Sequence, residues 1–186
     1  IEFEADEADS SGIAYDLLEK LATDELIVDG IHADSTVKFH SFWALRENIS
    51  ESISREGYVK KNDITVSVKK LPEFIKELES IKSGGQADIR LVIFGHIGDG
   101  NLHINYIGDR SGEYKKFLDR CNEIERQIFD VIGRLKGSIS AEHGIGLLKK
   151  AALSYSRTEV EVHLMREIKK ILDPNHIMNP GKIFEM

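Results

Sequence analysis

The chain is poor in features that mark several large protein classes. Cysteine occurs once, as Cys121. That excludes an internal disulfide framework and points to a reducing compartment. No apolar run approaches the roughly 20 residues of a membrane-spanning helix. No signal peptide is visible. Basic residues are not in excess, since 25 Lys and Arg stand against 32 Asp and Glu for a net charge of −7. Spread along the chain, these charges argue against a nucleic-acid or anionic-membrane surface. There is no internal repeat and no low-complexity linker. The opening residues Ile1-Glu2-Phe3-Glu4 look like the inside of a strand, so the chain reads as a fragment or an excised domain.

What is present suits one substantial core: 186 residues with 41% hydrophobic content. Ile13, Leu17, Leu18 and Leu21 recur at helical spacing after Ser10-Ser11, which can cap. Leu26 to Gly30 reads as a short strand. A long helix is expected from about Ser41 to Glu56, with Phe42, Leu45, Ile49 and Ile53 on one stripe and Gly57 as its stop. Asp63 to Val68 alternates as a strand does. Pro72 opens a helix bearing Phe74, Ile75, Leu78 and Ile81, which Gly84-Gly85 ends. Another helix spans roughly Gly112 to Leu135. Thr158-Glu159-Val160-Glu161 makes a capping box for a last helix ending near Leu172. Strands and helices interleave around an antiparallel hairpin. The expected class is α+β: a ferredoxin-like antiparallel sheet with helices on one face, plus a C-terminal helical segment.

The hairpin is the segment with the most chemistry. Ile89 to Phe94 is a short apolar run, and Leu102 to Ile107 alternates apolar and polar. Asp99-Gly100 between them has the residue types of a two-residue turn. That loop pairs His96 with His103 directly, at the roughly 4.5–5.5 Å Cβ spacing of opposed residues. Two imidazoles so placed can share a metal ion. Asn105 falls on the same face. Leu91, Ile93, Ile97, Leu102, Ile104 and Tyr106 fall on the other, as a core face should. Taken alone, the two histidines also fit hairpin ends facing solvent. A third donor is available in Ser138-Ile139-Ser140-Ala141-Glu142-His143-Gly144-Ile145-Gly146, a short strand candidate entering a glycine-flexed loop. Two His and one carboxylate form a common catalytic set for zinc, and also suit manganese or ferrous iron. Adjacent residues in an extended segment point opposite ways, so Glu142 can ligate while His143 reaches elsewhere.

Three motifs in order carry a resemblance to a known family. They are Gly95-His96-Ile97-Gly98-Asp99-Gly100-Asn101-Leu102-His103, then Ser140 to Gly146, then Asn179-Pro180-Gly181-Lys182-Ile183-Phe184. Together they resemble the C-terminal substrate domain of FAD-linked oxidases of the vanillyl-alcohol oxidase type. The branch is that of D-2-hydroxyglutarate dehydrogenases, D-lactate dehydrogenases and the glycolate oxidase flavoprotein subunit. The resemblance runs from about Phe42 to the end and implies the same fold, with residues 1–186 as one substrate and metal domain.

It also implies roles. Trp43-Ala44-Leu45-Arg46-Glu47 is similar to the family's segment for the substrate carboxylate, so Arg46 is expected to grip C1. A guanidinium fork suits that task. Ser50, at i+4 from Arg46, stands where the hydroxyglutarate branch usually has Thr. Lys61 matches that branch's position for a distal carboxylate, with Lys60 beside it as the rival. A second cation favours a dicarboxylate such as D-2-hydroxyglutarate over D-lactate. His96, His103 and Glu142 are expected to hold a divalent metal, with zinc the first candidate. His143 is expected to act as general base, and Asn105 to hydrogen-bond the substrate. The resemblance implies that FAD is bound mainly by an N-terminal domain of the same parent protein, and no glycine-rich strand-turn-helix fingerprint is found in this module. The domain alone should then not turn over. The small-molecule partner is a 2-hydroxy acid, a homodimer is a further expectation, and the compartment is cytoplasmic or the mitochondrial matrix. His32, His40, His163 and His176 read as structural or surface residues, Asp99 and Gly100 serve the turn, and the Asn179 to Lys182 motif, which the resemblance places near the flavin domain, gives Lys182 no catalytic role. Two readings from other classes stay open: a stand-alone metal-binding module and a metal-dependent hydrolase.

Overall fold

The structure is a computed structural model that describes residues 10–84 and 88–185. The expectation for Ile1 to Glu4 lies outside the described residues, as does Gly85. The chain divides into two compact units, Ile1–Ser52 and Ile53–Met186.

The first unit holds α1 (Ser10–Thr23) and α2 (Thr36–Glu47), and α3 (Ile49–Arg55) begins at its end. Ser35 caps α2 by accepting the Lys38 N–H. The single helix expected from Ser41 to Glu56 is therefore two, divided at Asn48. Asn48 keeps right-handed helical dihedrals (φ −81°, ψ −2°), and its N–H still reaches the Ala44 carbonyl. Asn is a poor interior helix former, which suits a break there. Leu26 to Gly30 forms no strand, because no partner strand pairs with it among the described residues. Its apolar side chains are mostly exposed, Val28 fully so.

The second unit is built on an antiparallel sheet in the order β1-β3-β2. Its strands are β1 (Tyr58–Thr65), β2 (Arg90–His96) and β3 (Asn101–Gly108). Helix α4 (Leu71–Ser83) links β1 to β2, and α5 (Tyr114–Arg134) follows β3. A single bridge pairs Ser138 with Thr65 on the free side of β1. That is where the fourth strand of a ferredoxin-like sheet would run, reduced here to one residue pair. The α+β expectation holds.

Period-two alternation sorts the sheet into two faces. Ile64, Leu102, Ile104, Tyr106 and Leu91 point to the helices and are buried. On α5, Phe117, Cys121, Ile124, Ile128 and Ile132 recur at helical spacing and complete that core with Phe74 and Leu78 of α4. A polar seam crosses this face. Lys60 donates to Asn122 and Glu125, both at 2.7 Å, and Asn62 donates to Glu125 at 3.0 Å. Burial pushes the Cys121 thiol up to about 12, so it behaves as a small core residue. The last helix, α6 (Glu159–Leu172), starts with the expected capping box of Thr158 and Glu161.

The hairpin differs from expectation in its loop. Four residues, Ile97 to Gly100, form the turn, so His96 opposes Asn101 and His103 opposes Phe94. Ile97 consequently leaves the core face and is 76% exposed. The cause lies in two bonds of the turn, one tertiary and one local. The Val66 N–H donates to the Gly100 carbonyl at 3.1 Å, and the Asn101 N–H donates to the Asp99 carboxylate at 3.0 Å. Gly100 sits at φ +71°, where a Cβ would come within 1.9 Å of the Val66 carbonyl oxygen.

Candidate metal and substrate site

The register change is a shift of two residues, and two is the side-chain period of a strand. His96 and His103 therefore stay on one face, as diagonal rather than direct neighbours. Their ring centroids are 6.0 Å apart. The face is the one opposite the helices, and it also carries Asp63, Lys61, Asn101 and Asn105.

The segment after α5 brings the third donor. Beyond the Ser138 bridge the chain turns rather than extends, with Gly144 at φ +73° and Gly146 at φ +53°. The strand expected there is thus confined to one bridge. The loop is held by a residue that sequence reasoning missed. Asp63 lies on β1 opposite His103 and is 1% exposed. Its Oδ2 accepts three successive N–H bonds, from Ala141 at 2.9 Å, Glu142 at 2.8 Å and His143 at 3.1 Å. Its Oδ1 meets the Lys149 ammonium at 3.0 Å and His143 Nδ1 at 3.3 Å. Lys149 spends its remaining donors on the carbonyls of Asp63 and Ile139, at 3.0 and 2.5 Å. Burial alone would raise the Asp63 pKa. The N–H groups of His143 and Glu142, with the Lys149 ammonium, outweigh it and hold the carboxyl well below the ordinary range. Burial pulls the Lys149 ammonium down and the Asp63 carboxylate opposes that pull, so the pair stays ionised.

From this loop Glu142 turns toward the histidines. Its Oε1 accepts from the Asn101 amide and lies 3.8 Å from His103 Nε2. One donor atom each from His96, His103 and Glu142 lies within 4.8 Å of the other two. A tetrahedral zinc with bonds near 2.0–2.2 Å wants donors about 3.4 Å apart. The donors stand wider than that, on side chains that are exposed or half-buried. Two further observations fit a cation. Burial lowers the His103 pKa, aided by neighbouring His143 and His96 and opposed by Glu142, which keeps its ring neutral with a lone pair to give. Asn101 is 3% exposed and fixes the carboxylate, as outer partners of metal ligands do. Its own Oδ1 is buried with no hydrogen-bond partner among the described residues.

His143 stays beside the same histidine as Glu142, with its ring 6.1 Å from that of His103, because the loop turns here and the alternation of an extended segment does not apply. Lys61 is exposed on this face, opposite Asn105, whereas Lys60 is engaged with α5 behind the sheet. Asn105 shares the face and is buried, but its amide donates to the carbonyls of Val92 and His103 at 3.2 and 3.4 Å. That ties it to the sheet. Arg46 on α2 and Ser50 on α3 belong to the first unit. The C-terminal motif reaches the loop, since the Ile183 N–H donates to the Gly146 carbonyl at 2.8 Å. Among the missed residues, Asp63 had one available signal: it opens the expected strand two positions after Lys61, the spacing that puts two residues on one face once the strand extends back.

The family model for the C-terminal domain of FAD linked oxidases matches residues 1–183. The chain belongs to this family. A D-2-hydroxyglutarate dehydrogenase of Stutzerimonas stutzeri (strain A1501) is 40% identical over 99% of this chain and 39% of the relative. A mitochondrial D-2-hydroxyglutarate dehydrogenase of Danio rerio is 38% identical over 90% of this chain and 30% of the relative. A putative mitochondrial D-lactate dehydrogenase of Schizosaccharomyces pombe (strain 972 / ATCC 24843) is 37% identical over 96% of this chain and 34% of the relative. The FAD-linked oxidase domain thus spans 39% or less of the length of these relatives. No helix among the described residues is long and apolar enough to cross a membrane.

Proposed function

We propose that this domain supplies the substrate- and metal-binding half of a flavin-dependent D-2-hydroxy acid dehydrogenase. D-2-hydroxyglutarate is the preferred substrate class, and the product is the 2-oxo acid. The convergence of His96, His103 and Glu142 donor atoms within 4.8 Å is the observation that carries the reading. The names of the relatives support it. The family match gives no support to the stand-alone module or to the hydrolase.

His96, His103 and Glu142 would hold a divalent metal, zinc by the donor set, which supplies Lewis-acid stabilisation of the oxygen that loses its proton. FAD, held mainly by a separate domain, supplies the hydride acceptor. His143 takes the hydroxyl proton of the substrate. Arg46 binds the C1 carboxylate, on the strength of the Trp43 to Glu47 resemblance, and Ser50 serves the same group. Lys61 carries the assignment for a distal carboxylate, because Lys60 is committed to Glu125. Asn105 supports that face as a sheet strap. A cytoplasmic or mitochondrial-matrix setting fits the reading.

Zinc titration of the chain tests the proposal beside His96→Ala and His103→Ala. The wild-type chain should take up one ion. Each variant should bind about 10- to 100-fold more weakly or not at all. Equal uptake by all three removes the metal site and with it this mechanism.

A further inference from the structure

Asp63 does more than anchor a loop. Its carboxylate is fixed to a strand, directly across from the candidate ligand His103. It collects the peptide N–H groups of both Glu142 and His143 on one oxygen. Its other oxygen faces His143 Nδ1 at 3.3 Å. An ionised carboxylate only accepts hydrogen bonds. The Lys149 ammonium at 3.0 Å keeps it ionised. The 3.3 Å contact is an ion-pair distance rather than an aligned hydrogen bond, and a carboxylate so placed favours the ring proton on Nδ1, which leaves the lone pair of His143 on Nε2. His143 Nε2 makes no hydrogen bond among the described residues, and the side chain is 64% exposed.

We propose that Asp63 is a positioning residue that sets the tautomer of His143 and holds it in fixed relation to the Glu142 and His103 donors. The inference rests on His143 being the proton acceptor of the proposed reaction. A base that must take a proton with Nε2 is inactive in the other tautomer. A carboxylate partner selects the useful one, and an amide partner does not. Asp63→Asn makes that exchange at constant size. The amide oxygen can still accept the three loop N–H groups, while its NH2, in the place of Oδ1, meets the Lys149 ammonium donor to donor and turns the Nδ1 site into one that needs an acceptor.

The experiment uses the 186-residue chain with 15N-labelled histidine, assigned with His143→Asn, at pH 8. The wild type should show His143 as the Nδ1–H tautomer, and Asp63→Asn should move it toward Nε2–H. In the flavin-containing protein that includes this domain, Asp63→Asn should lower kcat by about 10²-fold or more with KM within about threefold. Adding His143→Asn should cost little beyond either single change, because the two residues act as one unit. Zinc affinity of Asp63→Asn should stay within about threefold of wild type. An Nε2–H tautomer in the wild type overturns the proposal whether or not the variant folds. So does an unchanged tautomer in Asp63→Asn. Equal losses in KM and zinc affinity, with the tautomer unmoved, make Asp63 a loop anchor only. The tautomer measurement needs neither metal nor flavin. A chain that takes up no zinc therefore defeats the proposed function and leaves the judgement on Asp63 intact.

Discussion

Adjacent lysines separate cleanly at the level of single residues. Lys60 and Lys61 cannot be told apart by composition, and only strand alternation divides them. Lys60 faces α5 and pairs with Glu125 at 2.7 Å, while Lys61 faces the histidines. Lys60→Ala should cost stability, about 1–3 kcal/mol, because it strips a partner from a largely buried carboxylate. Lys61→Ala should leave stability within about 0.5 kcal/mol. In the flavin-containing protein it should lower kcat/KM for D-2-hydroxyglutarate by roughly ten- to a hundredfold and leave D-lactate nearly unchanged. Urea melts and steady-state rates with both acids decide, and wild-type handling of both acids by Lys61→Ala removes the dicarboxylate reading. Asp63 supports a second test. Its folded pKa is depressed, so its contribution is fully present above the ordinary Asp value near 3.9 and declines as pH falls below it. In that range the unfolded chain takes up a proton that the folded carboxylate refuses. The stability gap between wild type and Asp63→Asn should therefore be widest above about pH 5 and shrink toward pH 3. A gap that widens toward low pH would contradict the sign. The metal donors were legible because histidine is scarce, seven in the chain, and three of the seven fall in the His96 to His103 and Glu142-His143 motifs. Asp63 was not, because its partners lie some 80 positions away.

Elements were legible where one signal dominated. The α5 stripe, the Thr158 capping box and Pro72 at the head of α4 each placed a helix within a few residues. The misread elements depend on tertiary partners. Leu26 to Gly30 has a strand's composition and no strand beside it. The hairpin loop has a two-residue signal, yet Val66 pulls Gly100 into a four-residue turn. The site survived that error only because the slip was even. Two glycines of this motif make opposite predictions. At Gly95 a Cβ would sit 2.1 Å from the Asn101 carbonyl oxygen, while at Gly98 nothing lies within 4 Å. Gly95→Ala must push β2 from β3 beside both histidines. It should destabilise the chain by about 1–3 kcal/mol and weaken zinc binding. Gly98→Ala should be close to neutral in both. Thermal melts and zinc titration of the pair check this, and equal behaviour would mean that the turn is not packed as described.

The whole chain divides its chemistry unevenly between the two units. Every residue of the contiguous core, from Ile64 to Ile139, belongs to Ile53–Met186. So do His96, His103, Glu142, Asp63, Lys149 and Asn101, with all the hydrogen bonds that link them. The first unit contains Arg46 and Ser50, proposed for the substrate carboxylate, and none of the three proposed metal donors. A segment that carries its own core and its whole donor set should fold and bind metal by itself. Residues 53–186, expressed alone, should unfold cooperatively and bind zinc within about threefold of the affinity of the 186-residue chain. Without Arg46 and without a flavin domain, the segment should oxidise neither D-2-hydroxyglutarate nor D-lactate. Calorimetry, zinc titration and an activity assay on the one preparation separate these expectations. A segment that folds yet binds zinc a hundredfold more weakly would place part of the metal-holding apparatus in the first 52 residues.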